Sequence, residues 1–294
     1  MIDQDPVRKG AQASEIPGSS HSNLTLRVAS ALVLAPLAIG TAYVGGVTFL
    51  VLWGLAALGI LWEWRRIVAD TGYAAIGLGV AAILFAMAEF IGGGGLATAR
   101  DLVDVVVIVA AFALFAGMCA RNHGLWVAGG VLYASILLIS VAVLRSDSAF
   151  GFWAILYLFA IVWATDILGY FVGRWIGGPK LSPRLSPKKT WSGALGGALG
   201  AVLAGAAVTR YAGIAHFSAI VGLGLILSGV AQGGDLFESG VKRRFGTKDA
   251  GHVIPGHGGF MDRLDGFLAA ALAAAIIGIA RGGLNAPARG LLVW

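Results

Sequence analysis

Nine apolar runs divide this 294-residue chain, at roughly 28–44, 46–62, 73–91, 102–119, 125–144, 150–172, 192–209, 214–233 and 266–283. Each is long enough, or nearly so, to cross the about 30 Å of a bilayer's hydrocarbon as a helix. Only helices and closed barrels satisfy the backbone in lipid, and the alternation at every second residue that a barrel requires is absent. The composition agrees. The chain is 58% hydrophobic and only 12% charged, against about 25% charged in a soluble domain, so it could not cover a water-facing surface. The predicted fold is all-α: a polytopic membrane protein of about nine transmembrane helices, with 45 glycines suited to close helix packing in lipid.

Residues 1–24 are polar and rich in Ser, Pro and Gly, which predicts a disordered tail ahead of a membrane domain over 25–294. They do not read as a cleaved signal peptide, because the first apolar run begins only near Val28. Cys119 is the single cysteine, which excludes an internal disulfide and a cysteine metal cluster; it reads as a packed small residue. No aromatic and basic nucleic-acid module is visible, so the net charge of +6 is better read through topology.

With the N-terminus placed in the cytosol, sixteen Lys and Arg fall on the inner side and five on the outer. Positive charge concentrates on the cytosolic side of membrane proteins, so the asymmetry supports both this orientation and the span count. The two longest polar connections, 173–191 and 234–265, then lie on one cytosolic face and can build one site there. The setting expected is a bacterial-type inner (plasma) membrane.

The second connection is the densest polar stretch: residues 235–265 hold ten of the 36 Lys, Arg, Asp and Glu residues. Charge beside a bilayer is costly, which marks a site rather than a hinge. Asp235 is placed at the end of the eighth span, and Asp262 and Asp265 open the ninth, three residues apart and on one helical face. Carboxylates suit a helix N-terminus. They are also the oxygen donors that a hard cation such as Mg²⁺ takes, with water and substrate phosphates completing its shell, so Asp235 and Asp262 form a candidate half-site. Lys242, Arg243 and Lys248 are candidate phosphate contacts. Gly256, Gly258 and Gly259 allow close backbone approach around His257, whose imidazole could ligate, hydrogen-bond a phosphate or carry a proton.

The first connection, Gly173 to Gly197, carries Lys180, Arg184, Lys188 and Lys189 beside the hydroxyls of Ser186 and Thr190. Thr190 or Ser192 is positioned to cap the following helix, whose N-terminus attracts anions. Asp166 sits inside the sixth span, about two turns from its end, where an acidic side chain usually faces a polar cavity or a cation.

Taken together, Ser239-x-Val241-Lys242-Arg243, Lys248-Asp249 and Pro255-x-His257-Gly258-Gly259-x-x-Asp262-Arg263-x-Asp265 resemble the signature of the phosphatidate cytidylyltransferase (CDP-diacylglycerol synthase) family. Ser186-Pro187-Lys188-Lys189-Thr190-Trp191 resembles that family's second block, and Asp166 stands where an acidic residue is expected. Ser192 departs from the pattern, which has an acidic residue after the tryptophan. The resemblance implies the reaction CTP plus phosphatidate to CDP-diacylglycerol plus pyrophosphate, in phospholipid biosynthesis. It implies Mg²⁺ on Asp235 and Asp262, with Asp265 supporting them or a second cation. Lys242, Arg243, Lys248 and Arg263 would meet phosphates or pair with carboxylates. Asp249 would orient that basic group, and Ser186, Lys188, Lys189 and Thr190 would form the opposite wall. Two other readings compete: a secondary transporter of an anionic solute, and a membrane nucleotidyltransferase acting on another lipid phosphate. A homodimer is compatible with a bundle so rich in small residues.

Overall fold

A computed structural model describes residues 19–92, 98–214, 217–248, 250–251 and 259–294. These form ten helices and one short hairpin: α1 (Ser19–Val44), α2 (Gly46–Val68), α3 (Tyr73–Gly92), α4 (Ala99–Cys119), α5 (Gly124–Ser146), α6 (Gly151–Ile176), β1 (Lys180–Ser182), β2 (Ser186–Thr190), α7 (Trp191–Tyr211), α8 (Phe217–Arg244), α9 (Met261–Gly282) and α10 (Pro287–Leu292). Eight of the helices, α2 to α9, are long and apolar enough to cross a membrane, and α1 adds a shorter apolar stretch over Ser30–Val44. The nine apolar runs therefore each become a helix. Helix α1 starts at Ser19, inside the segment assigned to the tail, while residues 1–18 lie outside the described residues.

Helix α5 forms the centre. Val131, Ala134, Leu137, Leu138, Val141 and Leu144 are wholly or almost wholly buried along it, and it touches α2, α3, α4, α6, α9 and α10. Helix α4 lies at the edge, and Cys119 at its end is exposed rather than packed. An aromatic stack ties three helices together: Phe267 of α9 lies 4.9 Å from Trp53 of α2 and 5.2 Å from Phe159 of α6.

Two carboxylates tie the loops at opposite ends of the bundle. Asp70, after α2, accepts from the backbone N–H groups of Gly72 at 3.1 Å and Arg121 at 3.0 Å, joining the α2–α3 and α4–α5 connections. Asp147, after α5, accepts from Ala149, Phe150 and Arg289, joining the α5–α6 turn to α10. Both are almost fully buried, and backbone donors satisfy them, which is what a buried charge requires.

The pairing of α6 with α7 positions the site. Thr165, Gly169 and Gly173 on α6 meet Gly193 and Gly197 on α7, and a side chain has no room between them. A Cβ added at Gly193 would lie 2.7 Å from the Gly169 carbonyl oxygen, and one at Gly197 would lie 2.7 Å from that of Thr165. Small residues four apart let backbones approach this closely in lipid. Between the two helices, the polar connection is not a plain loop but an antiparallel hairpin, with Lys180 opposite Thr190 and Ser182 opposite Ser186.

Candidate active site

Helix α7 starts at a defined point because Thr190 caps it: its Oγ1 accepts from the Gly193 N–H at 3.1 Å. This confirms Thr190 as the cap. Ser192 has a different task. Its hydroxyl donates to the Gly177 carbonyl and lies 3.0 Å from Thr190 Oγ1, fastening the start of α7 to the end of α6. A carboxylate there would face that carbonyl without a proton to donate, which gives this chain's departure from the expected pattern a local rationale.

The cap, the hairpin, the end of α6 and the middle of α8 surround a cavity of about 600 Å³. Asp166, Lys180, Lys188, Lys189, Thr190 and Asp235 all line it, as the sequence predicts for one site. Arg174 and Gln232 line it as well; neither was singled out, since Arg174 reads as an ordinary anchoring charge and Gln232 as the polar end of a span. Lys189 crosses the cavity to Asp235, with Nζ 2.5 Å from Oδ2. Asp166 shares this lining with Lys189 and Asp235. Ser239 sits one turn beyond Asp235, with its hydroxyl 3.5 Å from Oδ1.

Asp235 does not end its helix. Helix α8 runs on to Arg244, so Asp235 is an interior residue with more than two helical turns beyond it. The extension carries a second ion cluster. The ammonium of Lys242 lies 2.9 Å from Glu238 on its own helix and 2.6 Å from Asp262 on α9. Asp262 also accepts from the backbone N–H groups of Gly259 at 3.1 Å and Ala250 at 3.3 Å. Asp265 lies near enough to Glu238 and Asp235 for their charges to act on it, and Glu238 shares the Lys242 ammonium with Asp262. Asp235, Glu238, Asp262 and Asp265 therefore make one electrostatic cluster where α8 crosses α9. The crossing is tight: a Cβ at Gly234 would lie 2.6 Å from the Asp265 carbonyl oxygen.

The α9 end of this cluster is held by Glu63, a residue the sequence reading passed over. Glu63 lies in α2, fully buried, and accepts from the N–H groups of Phe260 at 2.9 Å and Met261 at 2.8 Å. These are orphan donors at the start of α9, and a carboxylate satisfies them and suits the helix dipole. An acidic residue between Trp62 and Trp64, just past an apolar run, is unusual, but nothing local in the sequence points to its partners near residue 260.

Other expected residues are less integrated. Arg243 and Lys248 are exposed, and Ser186 is half-buried on β2 without lining the cavity. Asp249 and His257 lie outside the described residues. Among the described residues no group of three or more His, Cys, Asp or Glu is arranged to hold a metal ion. The donors in the cluster are nonetheless all carboxylate oxygens, the chemistry a hard cation takes, and the buried Oε1 of Glu238 has no hydrogen-bond partner.

A second cavity, of about 480 Å³, opens between α1, α2, α6 and α9. Its lining is apolar, including Leu34, Trp53, Phe159, Trp163 and Phe267, but Asp166 and Arg263 line it too. Asp166 thus borders both cavities, one polar and one apolar.

A bundle of membrane-spanning length with a basic cavity beside an apolar one suits a ligand that carries both phosphate and hydrocarbon, and comparison with known proteins gives the class. Residues 25–279 match the model of the cytidylyltransferase family. The chain is 40% identical over 252 residues to the phosphatidate cytidylyltransferase of Brucella abortus biovar 1 (strain 9-941), covering 85% of this chain and 91% of that protein. It is 41% identical over 119 residues to the phosphatidate cytidylyltransferase of Staphylococcus aureus (strain COL), covering 40% of this chain and 46% of that protein. The chain belongs to the cytidylyltransferase family and is a nucleotidyltransferase.

Proposed function

We propose that this chain transfers a cytidylyl group from CTP to phosphatidate, giving CDP-diacylglycerol and pyrophosphate. The observation that carries the reading is the meeting of a basic, hydroxyl-lined cavity with an apolar one at Asp166. The first suits a nucleoside triphosphate. The second suits acyl chains approaching sideways between helices, with the lipid phosphate held at the boundary.

In this reaction an oxygen of the phosphatidate phosphate attacks the α-phosphorus of CTP. The bond from that phosphorus to the bridging oxygen breaks, and pyrophosphate leaves with the electron pair. The nucleophile is already anionic at neutral pH, so no strong base is required. The obstacle is the approach of two polyanions, and catalysis rests on positioning and charge neutralisation. Lys180, Lys188 and Lys189 form the cationic wall for the triphosphate, with Thr190 and Ser186 beside it. Lys242, Arg243, Lys248 and Arg263 would supply the facing charges, and Asp249 and His257, which lie outside the described residues, are assigned to the same group by the motif alone. Asp235 and Asp262 would hold Mg²⁺, with Asp265 and the unpartnered oxygen of Glu238 as further donors to it or to a second cation. A cation held by these carboxylates would supply positive charge against the triphosphate and the departing pyrophosphate. The site would face the cytosol from a bacterial inner membrane.

The test is radiolabelled CTP supplied to the purified protein in detergent with phosphatidate and Mg²⁺, with and without chelator. Labelled CDP-diacylglycerol and stoichiometric pyrophosphate are expected, and both should vanish with chelator. Product formed from polyprenyl phosphate but not from phosphatidate would replace the acceptor, and no product from any lipid phosphate would defeat the reading.

A further inference from the structure

On the face that bears the site, but apart from it, α2, α3 and α5 enclose a cavity of about 260 Å³. Leu58, Leu61, Ala75, Val80, Val127 and Val131 make its walls almost wholly apolar. Arg65, in the last turn of α2, stands among the lining residues. Its buried Nε has no hydrogen-bond partner. The guanidinium lies over the ring of Trp62 at 4.6 Å, and it forms no ion pair among the described residues. Asp70 lines the cavity too, but backbone N–H groups of Gly72 and Arg121 already occupy both of its oxygens. The indole N–H of Trp64 is spent on the Trp126 carbonyl at 2.7 Å.

Among the described residues this leaves one cation without an ion-pair partner at the rim of an apolar space, beside a half-exposed Trp62. Arg66 is exposed next to it, and the Arg121 backbone bonded to Asp70 keeps a third arginine at the same connection. A ligand that completes the site needs an anionic group for Arg65 and a hydrocarbon tail for the walls. Basic pockets between helices near the membrane surface recognise anionic lipid headgroups in this way. We propose that this cavity is a binding site for an anionic phospholipid, separate from the substrate cavities. One acyl chain lies between α2, α3 and α5, and its phosphate pairs with Arg65.

Native mass spectrometry of the full chain, released from detergent micelles containing phosphatidylglycerol or phosphatidylcholine, tests this without reference to catalysis. The wild-type protein should retain phosphatidylglycerol in preference to phosphatidylcholine. Arg65→Gln should weaken phosphatidylglycerol retention roughly fivefold, the worth of one interfacial cation, and leave phosphatidylcholine unchanged. Ala75→Leu, which fills the cavity, should weaken retention of both. Lys189→Gln, in the substrate cavity, should leave the preference intact. The inference falls if the wild type shows no headgroup preference, if Arg65→Gln and Ala75→Leu both retain lipid as the wild type does, or if the preference is lost in Lys189→Gln instead.

Discussion

Two lysines reach acidic side chains of the same cluster, and their surroundings set them different tasks. Lys189 projects from the hairpin to Asp235, and the side chains are 29% and 32% exposed. Lys242 rises from α8 to bridge Glu238 and Asp262, with the side chains of the lysine, Glu238 and Asp262 11%, 2% and 17% exposed. The first pair lies in the wall of an open cavity, where a ligand phosphate can compete for the ammonium. The second is shut into the junction of α8 and α9, where water screens little and an unpaired charge is expensive. Charge in the open pair meets an incoming ligand as it stands, whereas charge in the closed pair also holds two helices together.

That contrast breaks first at Lys242. Lys242→Ala leaves Glu238 and Asp262 buried without their cation and should cost about 3–5 kcal/mol of stability, read as a large fall in the unfolding midpoint of the detergent-solubilised protein. An unshifted midpoint would put Lys242 in the same class as Lys189. At the open pair the expectation reverses. Lys189→Ala should lower kcat for CDP-diacylglycerol formation about 10²–10³-fold, the scale of one lost stabilising charge, with a midpoint close to the wild-type value. Equal damage to both quantities would erase the distinction. The smallest effect belongs to the support behind the closed pair. Glu63→Gln keeps the shape but loses the charge facing two N–H donors at the start of α9, and should cost about 1–2 kcal/mol. The measurement that sharpens this is amide hydrogen exchange at Phe260 and Met261, which should quicken in Glu63→Gln while exchange along α4 stays constant.

The bundle was legible because hydropathy reports what contacts lipid: each apolar run became a helix, and the charge asymmetry grouped the polar connections that meet at the site. The same property explains the error at Asp235. Apolar character stops near residue 233, but α8 continues to Arg244 as a polar helix stabilised partly by the Glu238–Lys242 pair at i and i+4. The hairpin was hidden because its strands are three and five residues long and rich in Lys, Ser and Pro, which reads as loop. Asp166, Lys189, Thr190 and Asp235 were identifiable from residue type and shared membrane face. Glu63 was not, since its partners lie 197 and 198 residues away, and no local pattern encodes a contact at that range.

The boundary at Asp166 carries a kinetic consequence. On the proposed reading, one reactant dissolves in the cytosol and the other only in the leaflet, and neither need change phase to react. Turnover should then follow the mole fraction of phosphatidate within the bilayer and be indifferent to how many vesicles a given volume holds, so the lipid's relevant concentration is two-dimensional.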